Sequence, residues 1–292
     1  MLRNINESDS KILIKGEEMG KSVSLVLSGG GAKGYAHIGV IEVLEEKGYE
    51  IKSIAGTSMG ALIGGLYACG KLKDYKEWII KQSLFDIAKL MDFNFTSGLS
   101  EGLIKGETLY KHLKTLFKDT VIEELDIKFT AVAVNLTKQR EIWYQKGSLI
   151  DAIRASTAIP GVFIPFYKDN EMIVDGGILN NIPIAPTMSD DTDLIIAVDV
   201  NSPIKNDYPI KFDGNKFENF WRKAFDFRDD PKSLAINLMM NHISGYKKAE
   251  YPIDIEINIS KSICSVFDFH KHREIIEIGR IVAEKTLSEK MK

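Results

Sequence analysis

Residues 24–40 read SLVLSGGGAKGYAHIGV, and residues 51–68 read IKSIAGTSMGALIGGLYA. Each stretch is a short apolar run, then a glycine-rich turn, then apolar residues at helical spacing. Two such units in succession are the sequence form of strand–turn–helix, and the pattern continues. Strands are expected at Val23–Leu27, Ile51–Ala55, Phe129–Asn135, Glu141–Tyr144, Met172–Val174, Leu194–Val200 and Ile253–Ile259, the third and fourth as a hairpin. Helices are expected at Ala36–Glu46, Ala61–Ala68, Lys73–Leu90, Thr108–Lys118, Ser148–Thr157 and Arg273–Lys290. Strands alternating with helices indicate an α/β protein with a mainly parallel central sheet and helices on both faces. Ligands bind such sheets at the carboxyl ends of the strands, where the glycine loop lies.

The chain has 292 residues, 44% hydrophobic and 27% charged, which is ordinary globular composition. Residues 1–21 read as a lead-in and 22–292 as a single domain with a helical C-terminal portion. A net charge of −3 supplies no positive field for nucleic acid. Two cysteines, Cys69 and Cys264, form no disulfide framework and fit a reducing compartment. No apolar run approaches the roughly 18 residues of a membrane span, and the N-terminus does not read as a secretory signal. A cytoplasmic protein is the expectation, with contact to a membrane surface compatible with it.

The glycines at 29–31 admit three readings. A phosphate loop fails: Gly29 and Gly34 have its spacing, but Tyr35 and Ala36 follow where lysine and a hydroxyl are required. A dinucleotide fingerprint matches at Gly29, Gly31 and Gly34, but it needs an acid at the end of the next strand, and Glu50 begins that strand instead. What ends it is Gly56-Thr57-Ser58-Met59-Gly60, the G-x-S-x-G of a nucleophile elbow. If the first two strands are neighbours, Gly29, Gly30 and Gly31 lie beside Ser58. Their unobstructed N–H groups then suit an oxyanion.

A serine nucleophile needs a proton acceptor. The order Ser…Asp…His is met formally by His270 or His272, but the fold that uses it places several strands before its elbow, and only two precede Ser58. His37 and His112 fall in helices. Asp175, in IVDGGILNNIP, follows an apolar strand and precedes two glycines, so it is the leading base. Burial beside MIV would raise its pKa from about 4 toward a useful value.

With these residues in hand, the chain resembles the patatin-like phospholipase family, bacterial branch. GGGAKG stands as its oxyanion loop, GTSMG as its elbow and DGG as the second member of a Ser–Asp dyad. ASTAIPGVF from Ala155 is similar to the family segment before the aspartate. The likeness covers roughly Val23 to Val200.

The resemblance implies a three-layer α/β/α fold and a carboxylic ester hydrolase acting on phospholipid, lysophospholipid or related lipid esters without metal or cofactor. It implies Ser58 as nucleophile, Asp175 as base, and Gly29, Gly30 and Gly31 around the oxyanion. Lys33 stands where the family often has arginine or lysine. It is expected to be solvated rather than to lend the site charge. Acyl transfer to another acceptor, or a non-catalytic binding module on the same fold, are the competing readings, and a homodimer is compatible with the sequence. In KFENFWRKAF, Phe217, Phe220, Trp221 and Phe225 share a helical face, suited to packing or to a membrane surface.

Overall fold

Alternation along residues 22–27 sends Val23, Leu25 and Leu27 to one side of a strand and Val26 to the other, and all four are fully buried. A strand covered on both faces belongs inside a sheet. The computed structural model describes residues 20–90, 106–205, 207–210 and 231–290. In it, β1 (Ser22–Leu27) runs parallel between β2 (Glu50–Thr57) and β7 (Leu194–Ser202). Beyond β2 lies β3 (Lys128–Asn135) and beyond β7 lies β8 (Ile255–Ser260), both parallel. These five strands form the parallel centre of an eight-stranded sheet. Its other three, β4 (Arg140–Tyr144), β5 (Phe166–Lys168) and β6 (Glu171–Asp175), are antiparallel, so the sheet is mixed at one end.

The register on β3 positions the site. Ala131 and Val132 pair with both β2 and β4, and Ala133 to Asn135 pair with both β4 and β6. A strand has two edges, so β4 holds one and β2 and β6 share the other, end to end. Thr57 pairs with Val132, and Asp175 pairs with the next residue, Ala133. The carboxyl ends of β2 and β6 therefore meet head-on.

Helices cover both faces. One face carries α1 (Ala36–Glu46), α2 (Met59–Ala68), α3 (Leu72–Ile79), α4 (Leu84–Leu90), α5 (Glu107–Phe117) and α6 (Leu149–Ser156). The short α7 (Gly177–Asn180) and the 20-residue α8 (Pro231–Glu250) follow, and α9 (His272–Lys290) closes the chain. The larger core joins Leu25, Leu27 and Val198 to Ile41, Leu66, Ile153 and Ile278 of these helices. A smaller core on the opposite face joins Val26 and Ala197 to Ile182 and Ile184. α1 and α9 touch backbone to backbone: a Cβ at Gly39 would stand 2.1 Å from the Ile276 carbonyl oxygen, and one at Gly279 2.1 Å from that of Ala36.

The expected helix over 73–90 is two helices. Ser83 breaks it, because its N–H and hydroxyl both donate to Asp86 and its hydroxyl accepts the Asp86 N–H, a reciprocal cap that starts α4. The aromatic helix expected around Phe217–Phe225 lies outside the described residues, as does nearly all of the lead-in. Among the described residues, no helix is long and apolar enough to cross a membrane.

Candidate active site

Ser58 stands between the end of β2 and the start of α2 with φ 55° and ψ −124°. Left-handed backbone is costly for a residue with a side chain, and such strain concentrates at functional turns. Glycine makes the turn possible on both sides: a Cβ at Gly56 would lie 2.6 Å from the Ala61 nitrogen, and one at Gly60 2.2 Å from the Leu27 carbonyl oxygen. Main-chain geometry and crowding thus follow the elbow read from GTSMG.

The glycine loop follows β1, and a Cβ at Gly29 would lie 3.1 Å from that of Ser58. The structure divides the three glycines. The Gly29 N–H donates to the Asn181 carbonyl at 2.9 Å, so it is removed from the expected set of oxyanion donors. The Gly30 and Gly31 N–H groups have no acceptor among the described residues. Gly31 has φ 55°, and its α-carbon backs onto the Val266 carbonyl oxygen, which a Cβ would meet at 2.4 Å. The loop is anchored elsewhere as well. Asn201 donates its side-chain amide to the Gly29 carbonyl at 2.5 Å, and a His37 Nε2 contact of 2.8 Å reaches the Ser28 carbonyl.

Asp175 is 5% exposed and ends β6. Its Oδ1 accepts the Gly177 N–H at 2.7 Å. Oδ2 is buried without a hydrogen-bond partner among the described residues. Burial pushes the carboxyl up to about 6, opposed by the neighbouring Ser58 side chain and by the Gly177 N–H. The Ser58 hydroxyl thus favours the carboxylate, and no hydrogen bond of ordinary geometry closes onto Oδ2.

An apolar cleft of about 670 Å³, counting its open mouth, is lined in part by Ser58. Leu62, Ile87, Leu113, Ile153 and Phe163 are among its walls, and no histidine lines it. Two of the histidines are engaged elsewhere: His112 stacks on Trp78 at 3.8 Å, and His272 contacts the Gln82 carbonyl at 3.1 Å.

Lys33 corrects the expectation of a solvated side chain. It is 5% exposed, and burial lowers its pKa against the opposing pull of Cys264 and Asp199. It does not line the cleft. Among the described residues, no three His, Cys, Asp or Glu side chains cluster as a metal ion needs.

Sequence reading missed the residues that hold Ser58 and Asp175 in place. The Thr57 hydroxyl donates to the Asn180 carbonyl at 2.7 Å, and the Asp175 N–H to the Ala158 carbonyl at 2.9 Å. The Ser58 N–H donates to the Ser156 hydroxyl at 2.9 Å. The block ASTAIPGVF carried this signal, as a polar pair inside an apolar segment.

Residues 25–188, more than half of the chain, match the family profile of the patatin-like phospholipases. The chain belongs to the patatin-like phospholipase family. It is 30% identical to an NTE family protein of Mycobacterium bovis, over 91% of each chain. It is also 30% identical to the lysophospholipase nte1 of Neurospora crassa, matching 89% of this chain but 18% of that much longer one. Among solved structures, VipD from Legionella pneumophila superposes with a TM-score of 0.50 at 17% identity, covering 92% of this chain and 67% of VipD, a likeness of fold alone. As a family member, this patatin-like protein is a lipid ester hydrolase with the three-layer α/β/α fold.

Proposed function

We propose that the protein cleaves single acyl chains from phospholipid, lysophospholipid or related lipid esters by a Ser58–Asp175 dyad and an acyl-enzyme. The observation that carries this reading is the head-on meeting of β2 and β6. It brings together a strained serine that lines an apolar cleft and a buried carboxylate with one unpartnered oxygen.

In this mechanism the acyl chain enters the cleft and its carbonyl carbon meets Ser58 Oγ. As the new C–O bond forms, the hydroxyl proton passes to Asp175. Negative charge collects on the carbonyl oxygen, where the Gly30 and Gly31 N–H groups receive it, with that of Met59 at the start of α2. Each such donor is worth about 10²–10³ in rate. Collapse breaks the ester bond, and the departing alcohol takes the proton from Asp175. Water then attacks the acyl-enzyme, gives Asp175 a proton, and releases the fatty acid as Ser58 regains its own. A carboxyl titrating near 6 is about nine-tenths ionised at pH 7, so it is ready to accept.

The test is turnover of p-nitrophenyl esters and of lysophospholipid. Ser58→Ala and Asp175→Asn are each expected to lose activity by more than about 10³-fold, and the parent's kcat/KM to rise with pH through about 6. Either variant retaining parent-like turnover rejects the dyad.

A further inference from the structure

The hydroxyl of Ser156 touches neither the cleft nor the Asp175 carboxyl, yet it joins the two halves of the site. Ser156 is the last residue of α6 and is fully buried. A serine inside a helix commonly returns its hydroxyl to the carbonyl four residues back. This one points outward. It accepts the Ser58 N–H at 2.9 Å and donates to the Val132 carbonyl at 2.6 Å. The Ser58 N–H needs it. Ser58 caps α2, so its N–H has no acceptor within the helix. The Val132 carbonyl faces Gly176, where a Cβ would approach it to 2.3 Å.

Val132 is also where β3 changes partner, pairing with Thr57 while the adjacent Ala133 pairs with Asp175. The hydroxyl therefore ties the backbone of the serine to the strand that carries the aspartate. Two residues on, the Ala158 carbonyl accepts the Asp175 N–H at 2.9 Å. One short segment thus holds both members of the dyad.

We infer that Ser156 is a positioning residue for this ester hydrolysis: its hydroxyl holds Ser58 in the left-handed conformation that keeps the Ser58 hydroxyl facing Asp175. The inference rests on the Ser58–Asp175 reading. Without the bridge, the Ser58 N–H is left unpaired in the interior, and the elbow relaxes toward ordinary backbone angles. Reacting groups displaced by an ångström lose about 10² in rate. The cleft is untouched, so the loss falls on kcat rather than KM.

The experiment compares Ser156→Ala, Ser156→Cys and Ser156→Thr in the full chain. Kinetics on a p-nitrophenyl ester are normalised to sites counted by a fluorophosphonate probe, and folding is checked by thermal melting. Ser156→Ala and Ser156→Cys are expected to lose about 10² in kcat with KM within threefold of the parent. Ser156→Thr, which keeps a hydroxyl, is expected to recover most of the loss. The acid limb of the pH profile should also move to higher pH in Ser156→Ala, because the Ser58 hydroxyl that favours ionised Asp175 has turned away.

A folded Ser156→Ala with parent kcat, a loss confined to KM, or an unmoved acid limb would overturn the inference. So would failure of all three variants to fold, which would make Ser156 a stability residue. If Ser58→Ala or Asp175→Asn is active, the dyad itself is wrong. If both are inactive while Ser156→Ala is parent-like, only the positioning role falls.

Discussion

Asp175 carries the sharpest conflict in the molecule. Burial favours its neutral form, and the proposed chemistry needs it charged. Its value of about 6 in the fold lies above the 3.8 of an unperturbed aspartate. Between those limits the folded chain holds a proton that the unfolded chain has released. The stability this lends is complete below about pH 4 and is lost as pH rises through 6, about 3 kcal/mol in all. Asp175→Asn removes that loss. The variant should therefore melt several degrees above the parent at pH 8 and close to it at pH 4, while having no turnover at either. Equal melting temperatures at pH 8 would mean that the carboxylate is not desolvated. At this scale much of the site was legible in the sequence. GTSMG names a serine in a turn too tight for side chains on either flank, and DGG names a carboxylate at a strand end. Two things were not legible. Gly29 spends its N–H on the Asn181 carbonyl, and Lys33 turns inward. Both depend on segments more than 100 residues away, and no local pattern reports them.

Elements were read well where period and punctuation agreed. Ala36–Glu46 ends before Gly48 as a C-terminal glycine signal requires, and its bounds match the expectation. The Lys73–Leu90 stretch failed because apolar periodicity persists through Ser83, and the cap between Ser83 and Asp86 outweighs it. α8 carries no such signal: Leu234, Ile236, Leu238 and Met239 are all exposed, so its apolar residues mark no buried stripe. The close approach of α1 to α9 is made possible by glycine. Gly279→Ala would drive a methyl into the Ala36 carbonyl oxygen, a backbone atom with little room to retreat. The variant should lose about 1–3 kcal/mol of stability in urea titration, or more, with kcat per folded molecule unchanged. A neutral substitution would show that the two helices stand further apart.

Across the whole molecule, strand–helix alternation gave the α/β class, but the order of strands did not follow from it. β6 is antiparallel and sits at the end of β2, a placement that only pairing across β3 decides. That placement matters more to the proposed chemistry than the parallel centre, since it brings residues 58 and 175 together from 117 positions apart. The larger core is hollowed at the same place by the apolar cleft, which the strand pattern also did not reveal. A chain seated there leaves water methylene by methylene, each worth about 0.8 kcal/mol. For p-nitrophenyl esters of rising length, kcat/KM should climb about fourfold per added methylene until the cleft is filled. A flat series from acetate to decanoate would show that the cleft does not hold the acyl chain.

The most direct measurement traps the serine itself. After reaction with a fluorophosphonate, intact-mass analysis and peptide mapping should find one adduct, on Ser58, absent from Ser58→Ala and formed at least 10²-fold more slowly by Asp175→Asn. An adduct on another residue, or undiminished labelling of Asp175→Asn, would contradict the account.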